Sequence, residues 1–103
     1  MGDRVSIQFK KGSEMSVVLF GHWDGMELVK RAKRYVKELK KEINGSHMYP
    51  LDRLEPQTVM VDFVRYITKD EERIRSGYYL GFDKKDGDNS DNGHHIINLD
   101  WGG

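Results

Sequence analysis

Three consecutive side chains, His22, Trp23 and Asp24, bring an imidazole, an indole and a carboxylate together between Gly21 and Gly25. A neutral imidazole can accept a proton or a metal, an indole offers a stacking wall, and glycines allow close backbone approach to a ligand. His22 and Asp24 are therefore the candidate catalytic residues. They would serve a small hydrolase in which Asp24, Asp62 or Asp91 lies within hydrogen-bond reach of His22. The competing reading is architectural: Trp23 plugs the end of a core, His22 satisfies a backbone carbonyl and Asp24 caps a helix.

A second constellation lies in the polar run from Asp83 to Gly93. Hard cations prefer several carboxylate and amide oxygens, so Asp86, Asp88, Ser90 and Asn92 are candidate calcium ligands. From Asp88 onward the spacing imitates the first half of an EF-hand loop, but position twelve is Leu99 where a bidentate Glu belongs. A solvated loop explains the same residues. His94 and His95 follow directly, and with His22 they would count as three zinc ligands. Neighbouring strand residues point to opposite faces, which argues against one ion binding both. His47 stands apart in a connector. No other cofactor is called for.

The third constellation is basic. Lys30, Arg31, Lys33, Arg34, Lys37, Lys40 and Lys41 oppose Glu27, Glu38 and Glu42 in one helical segment, a net charge of +4. Such a face can neutralise phosphates, with nearby aromatic rings stacking on bases. It is also what the solvent side of an ordinary amphipathic helix looks like. Nucleotide-binding glycine loops, His-Glu-x-x-His and Gly-x-Ser-x-Gly are all missing.

The elements that position these residues follow from periodicity. Val5, Ile7 and Phe9 alternate with Ser6 and Gln8, which predicts a strand over 4–10 with one buried face. Lys11 to Ser13 return the chain into a second strand over 15–20, apolar on both faces and suited to a central position. Asp24 and Glu27 fit a capping box at the head of a helix over 25–44, whose stripe is Leu28, Val29, Ala32, Tyr35, Val36, Leu39 and Ile43. Asn44-Gly45 ends it. After a connector, Pro56 opens a second helix with Val59, Met60, Phe63, Val64 and Ile67 inward. It either continues through Ile74 to Gly77 or breaks near 68–70. Tyr78, Leu80 and Phe82 mark a third strand, and Ile97, Leu99 and Trp101 a fourth. The expected fold is a single α+β domain over 1–103 in the order β-β-α-α-β-β: two layers, two hairpins forming an antiparallel four-stranded sheet, and both helices on one face.

The 103 residues, 12.0 kDa in mass, suit one domain and are too few for two ordinary ones. Lys plus Arg and Asp plus Glu both number 17, and the pI is near 6.9, so overall charge gives no reason to expect nucleic acid or an acidic membrane. Local patches remain open. Cysteine is absent, which excludes disulfides, thiolate metal sites and cysteine nucleophiles and is compatible with the reducing cytoplasm. No apolar run is long enough for a membrane span, and the start of the chain lacks a signal-peptide core.

Met1-Gly2-Asp3-Arg4, His22-Trp23 with Gly25, Val64 to Ile67, Ser76-Gly77-Tyr78, and Asp91-Asn92 before a strand ending near Asp100 together resemble an uncharacterised family of small prokaryotic and phage proteins. The resemblance spans nearly the whole chain and implies no activity for His22, Trp23 or Asp91. The basic first helix and the His94-His95 pair depart from the family pattern.

Only 37% of residues are hydrophobic while 33% are charged, and a chain this short buries only about 60 to 65% of its unfolded surface. The expected role is thus a non-enzymatic interaction or structural domain. It forms a homo-oligomer, with a second subunit covering apolar surface through exposed aromatics or an open strand edge. A nucleic-acid-binding module using the first helix is the second expectation, and the small hydrolase the third.

Overall fold

The computed structural model describes residues 3–45, 55–69 and 77–99. Seven elements follow in order: β1 (Val5–Lys11), β2 (Glu14–Met15), β3 (Val18–Gly21), α1 (Met26–Gly45), α2 (Pro56–Thr68), β4 (Tyr78–Gly81) and β5 (His94–Asn98). The fold is α+β.

The first hairpin forms as its periodicity predicts, with a dislocation. Lys10 pairs with Met15, whereas Ile7 pairs with Leu19, so β1 advances three residues while its partner advances four. The extra residue is a β-bulge at Ser16-Val17 that divides the returning strand into β2 and β3. Ser16 is buried there, and its Oγ accepts the Phe9 amide at 3.0 Å in place of a ladder carbonyl.

The second half of the sheet corrects the expected two-hairpin arrangement. β4 pairs antiparallel with β3, but β5 pairs in parallel with β1. The sheet is therefore mixed, with five strand segments in four lanes: β5, β1, the β2/β3 strand, and β4. β4 and β5 occupy opposite edges and cannot form a hairpin. The chain between them crosses the face away from the helices: Gly87 lies against the rings of Phe20 and Tyr79, and Asn89 Nδ2 donates to Ser6 Oγ at 2.9 Å. That path delivers Ile97 and Leu99 to the buried face beside Phe9.

Both helices cover the opposite face. Leu28, Val29, Ala32, Tyr35 and Leu39 from α1 meet Val59, Met60, Phe63 and Ile67 from α2 over Val5, Ile7, Phe9 and Leu19. Phe9, Tyr35 and Phe63 form the aromatic centre, with the Phe9 and Phe63 ring centroids 5.5 Å apart and edge-to-face. α1 packs over β1 and β5, and α2 over β1 and β2. The helix layer accordingly stops short of β4. The questions of whether α2 extends beyond Thr68 and where the last strand ends fall outside the described residues.

Candidate functional site

The residues singled out near the start of the chain converge at one end of the sheet. The Asp3 amide donates to the His22 carbonyl at 2.7 Å, Gly25 N–H donates to the Asp3 carbonyl at 2.9 Å, and His22 N–H donates to the Gly77 carbonyl at 2.7 Å. Asn92 closes the knot: its side-chain amide donates to Asp3 Oδ1 at 2.6 Å and its main-chain amide to the Arg4 carbonyl at 2.9 Å. Four separated stretches meet here because β1 and β5 start at this end, where β3 finishes beside the first residues of β4. Two glycines are required by geometry. Gly25 has φ 56° and Gly77 φ 90°; a Cβ on Gly25 would lie 2.2 Å from the Asp3 carboxylate, and one on Gly77 2.7 Å from the Trp23 ring.

This junction does not assemble the predicted catalytic pair. Asp24 Oδ2 accepts the hydroxyl of Tyr78 and lies 3.9 Å from the Arg31 guanidinium. Asp62 accepts the Tyr35 hydroxyl at 2.7 Å and pairs with Arg65 at 3.0 Å, while Asp91 accepts the Arg4 amide at 2.9 Å. Among the described residues none of these carboxylates bonds the His22 ring. The expected capping box is also replaced: the first turn of α1 closes through Glu27 N–H to the Asp24 carbonyl at 3.1 Å. Trp23 is not a core plug. It stands half exposed, edge-on to His22 at 4.3 Å.

A polar chain that the sequence reading missed runs beneath the crossing loop. Ser6 Oγ lies 2.7 Å from His94 Nδ1, His94 Nε2 lies 3.1 Å from Gln8 Oε1, and Gln8 Nε2 donates to the Ser16 carbonyl at 2.8 Å. That last bond orients the Gln8 amide, so its oxygen must accept from His94 Nε2–H. Nδ1 then carries the lone pair and accepts from Ser6, whose oxygen accepts from Asn89. Burial holds the His94 pKa below its ordinary value, with the charges of Lys84 and His95 acting the same way and Asp83 opposing them. The serine is wholly buried. The chain ties the loop to the sheet and presents no accessible nucleophile. Period two placed Ser6 and Gln8 on the face opposite Val5 and Ile7, but nothing local tied them to Asn89 and His94.

The calcium candidates Asp86 and Asp88 are exposed and use carboxylate oxygens to accept main-chain amides of their own loop. Asp86 Oδ2 accepts the amides of Phe82 and Asp83 at 2.7 and 2.9 Å, and Asp88 Oδ1 accepts the Ser90 amide at 2.9 Å. Asp88 also meets Arg4 at 3.2 Å, and its carboxyl is held below the usual range by the Ser90 hydrogen bonds first and by Arg4 and His22 in smaller measure. Asn92 presents donors. Among the described residues no three His, Asp or Glu side chains converge on a common point. His95 Nε2 sits 2.8 Å from the Asn92 carbonyl, on the other face from His94. His47 lies outside the described residues.

On α1, Lys30, Lys33, Arg34, Lys37, Lys40 and Lys41 are exposed, whereas Arg31 leans inward to Asp24 and the Ile67 carbonyl, 3.4 Å away. No described helix is long and apolar enough to cross a membrane.

An apolar groove lies beside β4. Val17, Met60, Val61, Val64 and Leu80 line a groove of about 250 Å³ between α2 and β4, with Gln57 at its rim. Val61 is 71% exposed, Leu80 57% and Phe82 90%. Trp23, also exposed, stands over Gly77 at the start of β4. Leu80 and Phe82, which with Tyr78 mark the third predicted strand, are exposed because the described helices stop before reaching them.

Compared with known proteins, the chain matches no family model, and no significant match to a curated protein or a solved structure is found.

Proposed function

We propose that this domain is a non-enzymatic interaction module that self-associates through the flank formed by β4 and the outer side of α2. The carrying observation is the β4 lane: among the described residues the helices pack over β5, β1 and β2, Leu80 and Phe82 stand in water, and Val61 on the outer side of α2 is exposed across the groove from Leu80. Apolar surface gathered on one flank is characteristic of an interaction site, whereas scattered exposed residues carry no such meaning. A cysteine-free chain suits a reducing compartment, so the reading puts this work in the cytoplasm, and the sequence resemblance points to a prokaryotic or phage setting.

Light scattering coupled to size exclusion over a wide concentration range tests the reading. The expected mass rises from 12.0 kDa toward twice that value as concentration increases. A mass that stays at the single-chain value throughout overturns it.

One observation favours a second reading, nucleic-acid binding. Lys30, Arg34, Lys37 and Lys41 are exposed at successive turns of α1 and make a basic stripe roughly 16 Å long at 1.5 Å rise per residue. Binding carried by that stripe would be salt-sensitive and weakly sequence-selective. The same scattering experiment with short DNA or RNA at low salt separates the two readings.

A further inference from the structure

We propose that the second copy docks strand to strand: β4 of one chain pairs antiparallel with β4 of the other about a two-fold axis at Leu80, joining two four-lane sheets into one eight-lane sheet. This rests on the self-association reading and assigns its surface and register.

The direction of the free edge follows from the ladder. His22 N–H bonds the Gly77 carbonyl, and antiparallel pairs alternate, so Tyr79 and Gly81 turn their main-chain groups toward Phe20 and Val18. The Leu80 N–H and C=O therefore point outward, where no strand pairs with β4 among the described residues. β4 reads Tyr-Tyr-Leu-Gly and has neither the charge nor the proline that commonly protects an edge. The chain has no net charge to keep copies apart.

Placing Leu80 on the axis lets the two copies exchange N–H to C=O bonds reciprocally, as an isologous interface requires. Tyr79 falls opposite the partner's Gly81, which has no side chain to obstruct it. Phe82 falls opposite the partner's Tyr78, near the Trp23 that packs over Gly77. The Phe82 N–H is already taken by Asp86, which removes that donor from the outer rungs and leaves the reciprocal Leu80 pair as the complete one. Leu80, on the helix side, then meets its counterpart across the axis, next to both grooves.

The buried area fits this occupant. Trp23, Val61, Leu80 and Phe82 expose roughly 600 Å² per copy, so complete cover of all four on both copies would remove at most about 1,200 Å², which reaches the lower bound of the standard specific interface. The other edge is a poorer candidate: β5 exposes one large apolar residue, Ile96, beside His94 and Asn98.

The native chain contains no cysteine, so single replacements report on geometry without background. Across a hydrogen-bonded antiparallel pair the Cα atoms are about 5.5 Å apart, inside the range a disulfide spans. Leu80→Cys is expected to give a covalent dimer on mild oxidation at concentrations where the native chain is dimeric, and Ile96→Cys is expected to stay single. Leu80→Lys is expected to keep the native circular dichroism and weaken self-association at least tenfold. A native dimer with Ile96→Cys crosslinked and Leu80→Cys not, or with Leu80→Lys still dimeric, overturns the register while leaving self-association standing. A native chain that is monomeric at every concentration overturns both.

Discussion

Two residues help to hold the sheet and its crossing loop, Gly25 and His94, and each yields an expected outcome. Gly25 combines a left-handed φ with the Asp3 carboxylate where a Cβ would go. Gly25→Ala should lose about 2 kcal/mol in urea unfolding, part from the backbone and part from displacing Asp3. Adding Asp3→Ala should recover the steric part but not the backbone part; full recovery would show the glycine conformation to be unimportant. His94 titrates below its ordinary value because burial penalises its charged form, with Lys84 and His95 acting the same way. An unfolded chain takes up this proton near pH 6.5 and the folded chain only at lower pH. His94 should therefore contribute instability as pH falls from 6.5 toward its folded pKa, with no further change above that window. A ring NMR titration checks it, and a His94 midpoint at or above 6.5 contradicts the hydrogen-bond chain.

At the scale of elements, the bulge is the point where sequence periodicity and structure part. Ser16 takes over the Phe9 amide and returns its own proton to the Val17 carbonyl at 2.7 Å. Ser16→Ala should cost about 1–2 kcal/mol by leaving that buried amide unmet, whereas Ser13→Ala in the exposed turn should be silent in the same unfolding assay. The helices, the first hairpin and their buried stripes were legible because each is set by spacing within one segment. Ser16 gives no such sign, since a bulge is fixed by pairing with Phe9 across the hairpin. The parallel placement of β5 was illegible for a similar reason. Alternation in Ile97 and Leu99 announces a half-buried strand and says nothing about which neighbour it joins, and proximity in sequence favoured β4. The His22 to Asp24 segment was recognisable as a junction, but Tyr78, which occupies Asp24, comes from 54 residues away. On α1, Arg34→Glu with Lys37→Glu tests the stripe: these changes should abolish any low-salt nucleic-acid binding and leave the melting temperature within a few degrees, because both side chains are exposed. Unchanged binding would remove the second reading.

The whole molecule is a sheet with unequal coverage. One face carries two helices, the other a polar loop tied down by Ser6, Asn89 and His94, and the lane at β4 lies beyond the helix layer. A small domain has little surplus stability with which to keep a large apolar flank in water, and burying that flank against a second copy relieves this. The most direct test is sedimentation equilibrium of the native chain beside Val61→Glu, which charges the flank without touching β4. The native chain is expected to approach twice 12.0 kDa with rising concentration while the variant, equally folded by circular dichroism, stays at the single-chain mass. A native chain that never exceeds 12.0 kDa, or a variant that associates as well as the native protein, contradicts the proposed surface.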